Sequence, residues 1–151
     1  EDIEEYAMQL AHIAHDCVVG SNVIMANCAT LAGHVEVDNY VIFGGLCAVH
    51  QFCRIGKYAF ISGLTGIPKD VPPYIIAAGP RAKPYGLNVV GLERHNFSKE
   101  EIKIIKKAYR LLFRSSLSLN TSLKIIQEEL EGKYIKELVD FITTSKRGIC
   151  R

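Results

Sequence analysis

The sequence has no run of about 18 consecutive apolar residues, which excludes a membrane-spanning helix within it. Glu1 to Tyr6 are mostly acidic and hold neither the basic nor the apolar segment of a secretory leader, so none is expected in this stretch. The expected compartment is the cytoplasm. The five cysteines, Cys17, Cys28, Cys47, Cys53 and Cys150, form no C-x-x-C pair and no metal-finger spacing, so reduced, mostly buried thiols are expected. Basic residues are scarce at first: residues 1–70 hold 3 against 8 acidic, whereas 71–114 hold 9 against 3 and 115–151 hold 6 against 5. The net charge of +2 therefore conceals a basic middle segment. No nucleic-acid-binding motif accompanies it, so an acidic partner is favoured over nucleic acid.

What the chain does have is a repeat. Every sixth residue from Ile13 is apolar: Ile13, Val19, Met25, Leu31, Val37, Phe43, Val49, Ile55, Ile61 and Ile67. A helix would show a period near 3.6 and an exposed strand one near 2, so a strict six points to short strands joined by corners around a shared interior. Two residues earlier runs a smaller inward register, from Ala11, Cys17 and Val23 to Ala59 and Thr65. Two residues later, from His15 to Lys69, Gly and Asn fill half of the places, as expected of corners that ask for positive φ.

Three strands per turn give an 18-residue coil with parallel strands stacked about 4.8 Å apart. This resembles the hexapeptide-repeat, left-handed parallel β-helix of acyl- and acetyltransferases. The left hand comes from that resemblance and runs against the usual crossover preference. On this arithmetic His15, Gly33 and Gln51 share one corner column, and Asp16, His34 and Phe52 the next. Gly63 stands above Gly45, Asn27 and Gln9. His12 lies three residues before His15, and His50 follows an inward position and should point outward. Cys17 and Cys53 share a column but lie two coils apart, too far for a disulfide. Apolar side chains left outside, such as Phe52 and Phe60, suggest a partner face. Ile3 and the residues before Leu10 read as the remnant of an earlier strand, so a truncated or cleaved product is expected.

Pro68, Pro72 and Pro73 end the repeat. The expected organisation is a β-helix over 1–74, an irregular connector over 75–97 and a small helical domain over 98–151. Ser98 and Glu101 form a capping box that opens a helix from Lys99 to Arg114. A second helix capped by Asn120 or Thr121 and ended by Gly132 carries Leu123, Ile126, Gln127 and Leu130 on one face. A third carries Tyr134, Ile135, Leu138, Val139 and Ile142, and runs to Gly148. Lys99, Lys103, Lys106, Lys107, Arg110 and Arg114 fall close to one face of the first of these helices. Such a stripe serves either as a solvated surface or as a dock for an acidic protein that salt would weaken.

Five ordered motifs carry a more specific resemblance: AHIAHDC at 11–17, TLAGH at 30–34, AVHQFC at 48–53, DVPPY at 70–74 and GLER at 91–94. Together with the helical tail they resemble the UDP-N-acetylglucosamine O-acyltransferase family, which opens lipid A biosynthesis. The resemblance implies transfer of a 3-hydroxyacyl group from acyl carrier protein to the 3-hydroxyl of UDP-N-acetylglucosamine, in a homotrimer and without a metal or other cofactor. It assigns His15 as general base, Asp16 as its orienting partner and the Gly33 N–H to the developing oxyanion. It places His12, His34 and Gln51 against substrate, Asn88 and Arg94 against the nucleotide, and Gly63 at the end of the acyl groove. Lys99, Lys103, Lys106, Lys107 and Arg110 become candidates for docking the carrier protein.

Each of these residues also has a plainer reading. Gly33 and Gly63 could be kept for corner φ alone, and the histidines and Gln51 could be surface polar groups. Val90 and His95 depart from the family pattern, where a glutamate and often a second arginine stand. Three other functions stay open at this point: an acetyl-coenzyme A-dependent hexapeptide acetyltransferase, a γ-type carbonic anhydrase with zinc on His12, His15 and His34, and an inactive β-helical scaffold.

Overall fold

The structure is a computed structural model that describes the backbone of residues 5–7 and all of residues 10–151. The expected remnant strand at Ile3 and the position of Gln9 lie outside the described residues. In chain order the strands are β1 (Glu5–Ala7), β2 (His12–Ile13), β3 (Val18–Val19), β4 (Val23–Met25), β5 (Thr30–Leu31), β6 (Glu36–Val37) and β7 (Ile42–Phe43). Then come β8 (Ala48–Val49), β9 (Arg54–Ile55), β10 (Phe60–Ile61), β11 (Gly66–Ile67), β12 (Ile75–Ala78) and β13 (Lys83–Leu87). Four helices close the chain: α1 (Val89–Arg94), α2 (Lys99–Phe113), α3 (Leu119–Glu129) and α4 (Lys133–Thr143).

The strands stack into the three faces of a parallel β-helix. One face runs β1-β4-β7-β10-β12-β13, the second β2-β5-β8-β11 and the third β3-β6-β9. Partners are 18 residues apart, as in Ile24↔Ile42, Thr30↔Ala48 and Glu36↔Arg54. The large six-residue register fills the interior: Met25, Leu31, Phe43 and Ile61 are fully buried, each burial contributing about 1.5–3 kcal/mol against an exposed side chain. Ile13 and Val19, in the first coil, are half-buried.

The corners correct one expectation. Positive φ falls one residue later than the glycine- and asparagine-rich column, at Asp16, Asn22, Cys28, His34, Tyr40, Leu46, Phe52, Tyr58 and Leu64, with values of 57–64°. None of these is glycine. The strain is offset because each such residue from His34 onward donates its N–H one coil down, as in His34 to the His15 carbonyl at 3.0 Å and Leu64 to the Gly45 carbonyl at 3.0 Å. The glycines serve close approach between coils instead. A Cβ on Gly33 would lie 2.7 Å from His15 Cε1, and one on Gly63 3.3 Å from the Gly45 carbonyl oxygen.

Residues 75–97 are not irregular. The prolines fill a corner, with Pro73 packed so tightly on Gly56 that a Cβ there would stand 2.4 Å from the Pro73 nitrogen. The ladder then resumes, β12 pairing parallel to β10 and β13 returning antiparallel along the outer edge, where Pro84 is tolerated. The capping box on α2 forms as expected, Ser98 N–H donating to Glu101 at 2.8 Å and Glu101 N–H to Ser98 Oγ at 3.1 Å. Those bonds favour ionised Glu101 and lower its pKa. α3 starts earlier than expected, because Ser118 Oγ accepts the Thr121 N–H at 3.2 Å and outcompetes Asn120 and Thr121 as cap. Gly132, at φ 123°, opens α4 rather than ending α3, which stops at Glu129. α4 stops at Thr143, short of Gly148, with Thr143 and Thr144 hydroxyls donating back to carbonyls of the last turn. A second apolar core joins Tyr74, Leu92, Ile105, Leu112, Ile126 and Leu138 of these elements. Among the described residues no helix is long and apolar enough to cross a membrane.

Candidate functional site

The corner between β2 and β3 carries His15 and Asp16, and the stacking of coils decides what they meet. His15 Nδ1 and Asp16 Oδ2 are 3.0 Å apart. A proton on Nδ1 donated to the carboxylate leaves the Nε2 lone pair free toward solvent, the tautomer a base requires. Asp16 is exposed, yet its carboxyl ionises below the usual carboxylate range, first because His15 donates to it and second through the electrostatic influence of the neighbouring His34 ring.

One coil above, Gly33 offers the imidazole a bare backbone. A Cβ there would also stand 2.9 Å from His15 Nε2, so no other residue leaves the ring where it is. The Gly33 N–H donates to no acceptor among the described residues. His34 meets the His15 ring edge-on at 5.1 Å and lies flat on Phe52 at 4.6 Å, with Nε2 3.8 Å from Asp16 Oδ2. Gln51 completes the His15 column and is exposed. His12 is exposed on β2. His50 points outward as expected, its ring against the Gln51 carbonyl at 3.3 Å.

The ligand-capable atoms of His15, Asp16 and His34 lie within 4.8 Å of one another. His12 is not part of that cluster, so the three-histidine zinc set considered from the sequence is replaced by two histidines and a carboxylate.

Asn88 and Arg94 are brought together elsewhere. They line a cavity of about 300 Å³ with Ile42, Phe60, Ile76, Val90 and His95, on the face built from β7, β10 and β12. The His15 corner lies between the other two faces, so one chain does not unite the two groups. Asn88 is largely engaged within the chain: Oδ1 accepts the Gly91 N–H at 3.2 Å, capping α1, and Nδ2 donates to the Tyr58 carbonyl at 2.9 Å. Arg94 remains exposed at the end of α1. His95 rests on the rings of Tyr40 and Tyr58 at 4.5 and 5.1 Å. Sequence reasoning missed that aromatic ladder, although the 18-residue spacing of Tyr40 and Tyr58 was its signal.

Gly63 is exposed beside an apolar edge, with Leu46 61% and Leu64 72% accessible. On α2, Lys99, Lys103, Lys106, Lys107 and Arg110 are all exposed. Arg114 leaves the stripe and donates to the Pro84 and Tyr85 carbonyls at 3.1 and 3.0 Å, tying α2 to β13. Also missed was a groove of about 550 Å³ that continues from His34 and Phe52 to Arg54, Asp70 and Arg147. No local pattern signals it, because the tail that forms its far wall is more than 70 residues from Phe52.

Gly33→Ala tests the close approach. It should leave thermal stability nearly unchanged, since the 71% exposed His15 side chain can swing aside, yet displace the imidazole by about 1 Å and lower any turnover that depends on that imidazole about 100-fold. Steady-state rates and a melting curve on the same sample decide it; equal losses in both would point to a purely structural glycine.

Comparisons with known proteins agree on one group. The family model described as "Udp N-acetylglucosamine O-acyltransferase; Domain 2" matches residues 70–150. The acyl-[acyl-carrier-protein]–UDP-N-acetylglucosamine O-acyltransferase of Janthinobacterium sp. (strain Marseille) is 45% identical over 153 residues, covering 98% of this chain and 58% of the relative. That of Nautilia profundicola is 47% identical over 142 residues, covering 94% and 55%. The crystal structure of the UDP-N-acetylglucosamine acyltransferase of Bacteroides fragilis superposes with TM-score 0.96 at 38% identity, over 98% of this chain and 58% of that one. The Francisella novicida enzyme gives 0.93 at 43%, over 98% and 55%. The chain thus spans a little over half the length of the relatives it matches.

Proposed function

The chain belongs to the UDP-N-acetylglucosamine O-acyltransferase family, and from that premise we propose that it carries the base and oxyanion half of a site that moves a 3-hydroxyacyl group from acyl carrier protein to the 3-hydroxyl of UDP-N-acetylglucosamine, the opening reaction of lipid A synthesis. His15 Nε2 takes the proton of the sugar hydroxyl as that oxygen bonds to the thioester carbonyl. Asp16 fixes the ring through Nδ1 and stabilises the imidazolium. The oxyanion of the tetrahedral intermediate is received by the Gly33 N–H. Collapse breaks the carbon–sulfur bond, and the imidazolium returns its proton to the leaving thiolate.

His12, His34 and Gln51 hold the substrates around that centre. Gly63 leaves the acyl groove open beside Leu46 and Leu64, and Asn88 and Arg94 face the nucleotide. Because the last two sit on another face of the prism, the complete site is assembled between neighbouring copies, consistent with a homotrimer in the cytoplasm. The exposed stripe Lys99, Lys103, Lys106, Lys107 and Arg110 meets the acidic carrier protein. No cofactor is required. The single observation that carries the reading is the 3.0 Å His15–Asp16 pair seated on Gly33.

The test supplies 3-hydroxyacyl carrier protein and UDP-N-acetylglucosamine to the chain as given and to a version extended at its amino terminus to the length of its relatives. Formation of the 3-O-acyl sugar nucleotide is expected, with the carrier KM rising as salt is added. Transfer only by the extended version would make the present chain a scaffold with a silent site. Transfer by neither would overturn the reading.

A further inference from the structure

Two imidazoles and a carboxylate converge at the His15 corner. His15 Nδ1 and Asp16 Oδ2 are 3.0 Å apart, and His34 Nε2 and the same oxygen 3.8 Å. A zinc ion held by nitrogen and oxygen at about 2.1 Å places its ligand atoms about 3.4 Å apart along a tetrahedral edge. The two distances bracket that edge. All three ligand atoms fall within 4.8 Å, so no pair has to close by more than about 1.4 Å. Side-chain rotation supplies that, because His15 and Asp16 are exposed and His34 is partly so.

The frame beneath the ligands is already fixed. Asp16 and His34 occupy equivalent corner positions one coil apart, both with φ close to 60°, at 57° and 58°. The His34 N–H donates to the His15 carbonyl at 3.0 Å, and its ring is held against Phe52 with an interplanar angle of 3°. A donor set of two nitrogens and one oxygen suits a borderline divalent ion such as zinc and disfavours magnesium and calcium, which prefer oxygen alone.

We propose that His15, Asp16 and His34 form a binding site for a borderline divalent cation, with zinc as the reference ion, and that occupancy silences the base. Zinc takes the Nδ1 position that the shared proton holds in the free protein. The ring's N–H proton moves through water from Nδ1 to Nε2, so no proton is released; His15 Nδ1, His34 Nε2 and Asp16 Oδ2 displace waters of the hydrated ion, and one water is retained in the fourth position. Nε2 then carries a hydrogen in place of its lone pair and cannot accept the proton of an alcohol. The silencing rests on the acyl-transfer reading; the binding does not.

Calorimetric titration of the full chain with zinc chloride is the test, with magnesium chloride as the control and cobalt(II) as the optical probe. One zinc per chain is expected, no magnesium uptake, and a cobalt spectrum without thiolate charge transfer. Asp16→Asn and His34→Ala should each weaken zinc at least 10-fold while melting as the parent does. A thiolate band would place the metal on Cys17 or Cys28, both only half-buried, and would overturn the site, as would no zinc uptake or unchanged affinity in both variants. Transfer should fall in step with occupancy and return with a chelator; full transfer at full occupancy would overturn the silencing. If neither this chain nor its extended version transfers in the absence of metal, the acyl-transfer reading fails, and the titration still decides the site.

Discussion

His15→Ala should lower the acyl-transfer rate by about 10²–10⁴-fold, the range over which a positioned general base acts, with no change in melting temperature beyond a degree or two. The side chain is exposed, and among the described residues its one hydrogen-bond partner is the neighbouring Asp16 and no core residue rests on it, so its loss leaves no described group buried without a partner. His15→Gln keeps a polar side chain but no titratable nitrogen and should be as impaired as the alanine. Asp16→Asn should fall between parent and His15→Ala. An amide removes the charge that stabilises the imidazolium, while an oxygen still accepts the Nδ1 hydrogen. Because Asp16 ionises below the usual carboxylate range, its negative charge is present throughout the neutral region and is lost only as pH drops through that lowered value. Full activity in His15→Ala would move the base elsewhere. His34, in the adjacent column and 3.8 Å from the same carboxylate, is the imidazole to test next.

The parts of this arrangement that a sequence discloses are those that repeat. A strict period of six fixes strands, faces and columns together, so the meeting of His15 with Gly33 and of His34 with Asp16 and Phe52 follows from an 18-residue offset before any coordinate is seen. The period does not say which of two adjacent corner residues takes positive φ. The column rich in glycine and asparagine drew the assignment, whereas the strained residue is its neighbour, because that residue's N–H reaches the coil below. Glycine at position 33 answers to a neighbouring side chain rather than to its own dihedral. Beyond Ile67 the period ends and long-range contacts take over. Arg114 reads as one more member of a cationic stripe, yet it serves the β13 carbonyls. Asn88 reads as a ligand contact, yet most of its amide is spent capping α1 and holding Tyr58. Placement of Asn88 and Arg94 on a different face from His15 is likewise a property of the coil and the hairpin together.

Asp70→Ala should be strongly destabilising, lowering stability by about 3–5 kcal/mol and the melting temperature by about 6–20 °C. Asp70 is 1% exposed at the end of the repeat. Its Oδ1 accepts the Arg54 N–H at 2.8 Å and its Oδ2 accepts the Ser145 hydroxyl at 2.5 Å. Its backbone receives the tail as well, the N–H donating to the Gly148 carbonyl at 3.0 Å and the carbonyl accepting from Cys150 N–H at 2.8 Å. One residue therefore joins the β3-β6-β9 face to the segment after α4, and alanine leaves a buried strand N–H and a hydroxyl without acceptors. Asp70→Asn separates that cause from simple loss of volume. Its amide oxygen still serves Arg54, and the Ser145 hydroxyl can rotate to accept from the amide nitrogen, so the loss should shrink to about 1 kcal/mol. Hydrogen exchange gives the local readout: in Asp70→Ala the Ser145 and Cys150 amides should exchange faster than those of β4 and β7, which do not touch the latch. If both variants melt with the parent, the tail is held by its apolar contacts through Ile149 and Cys150, and the carboxylate contributes nothing to closing the fold.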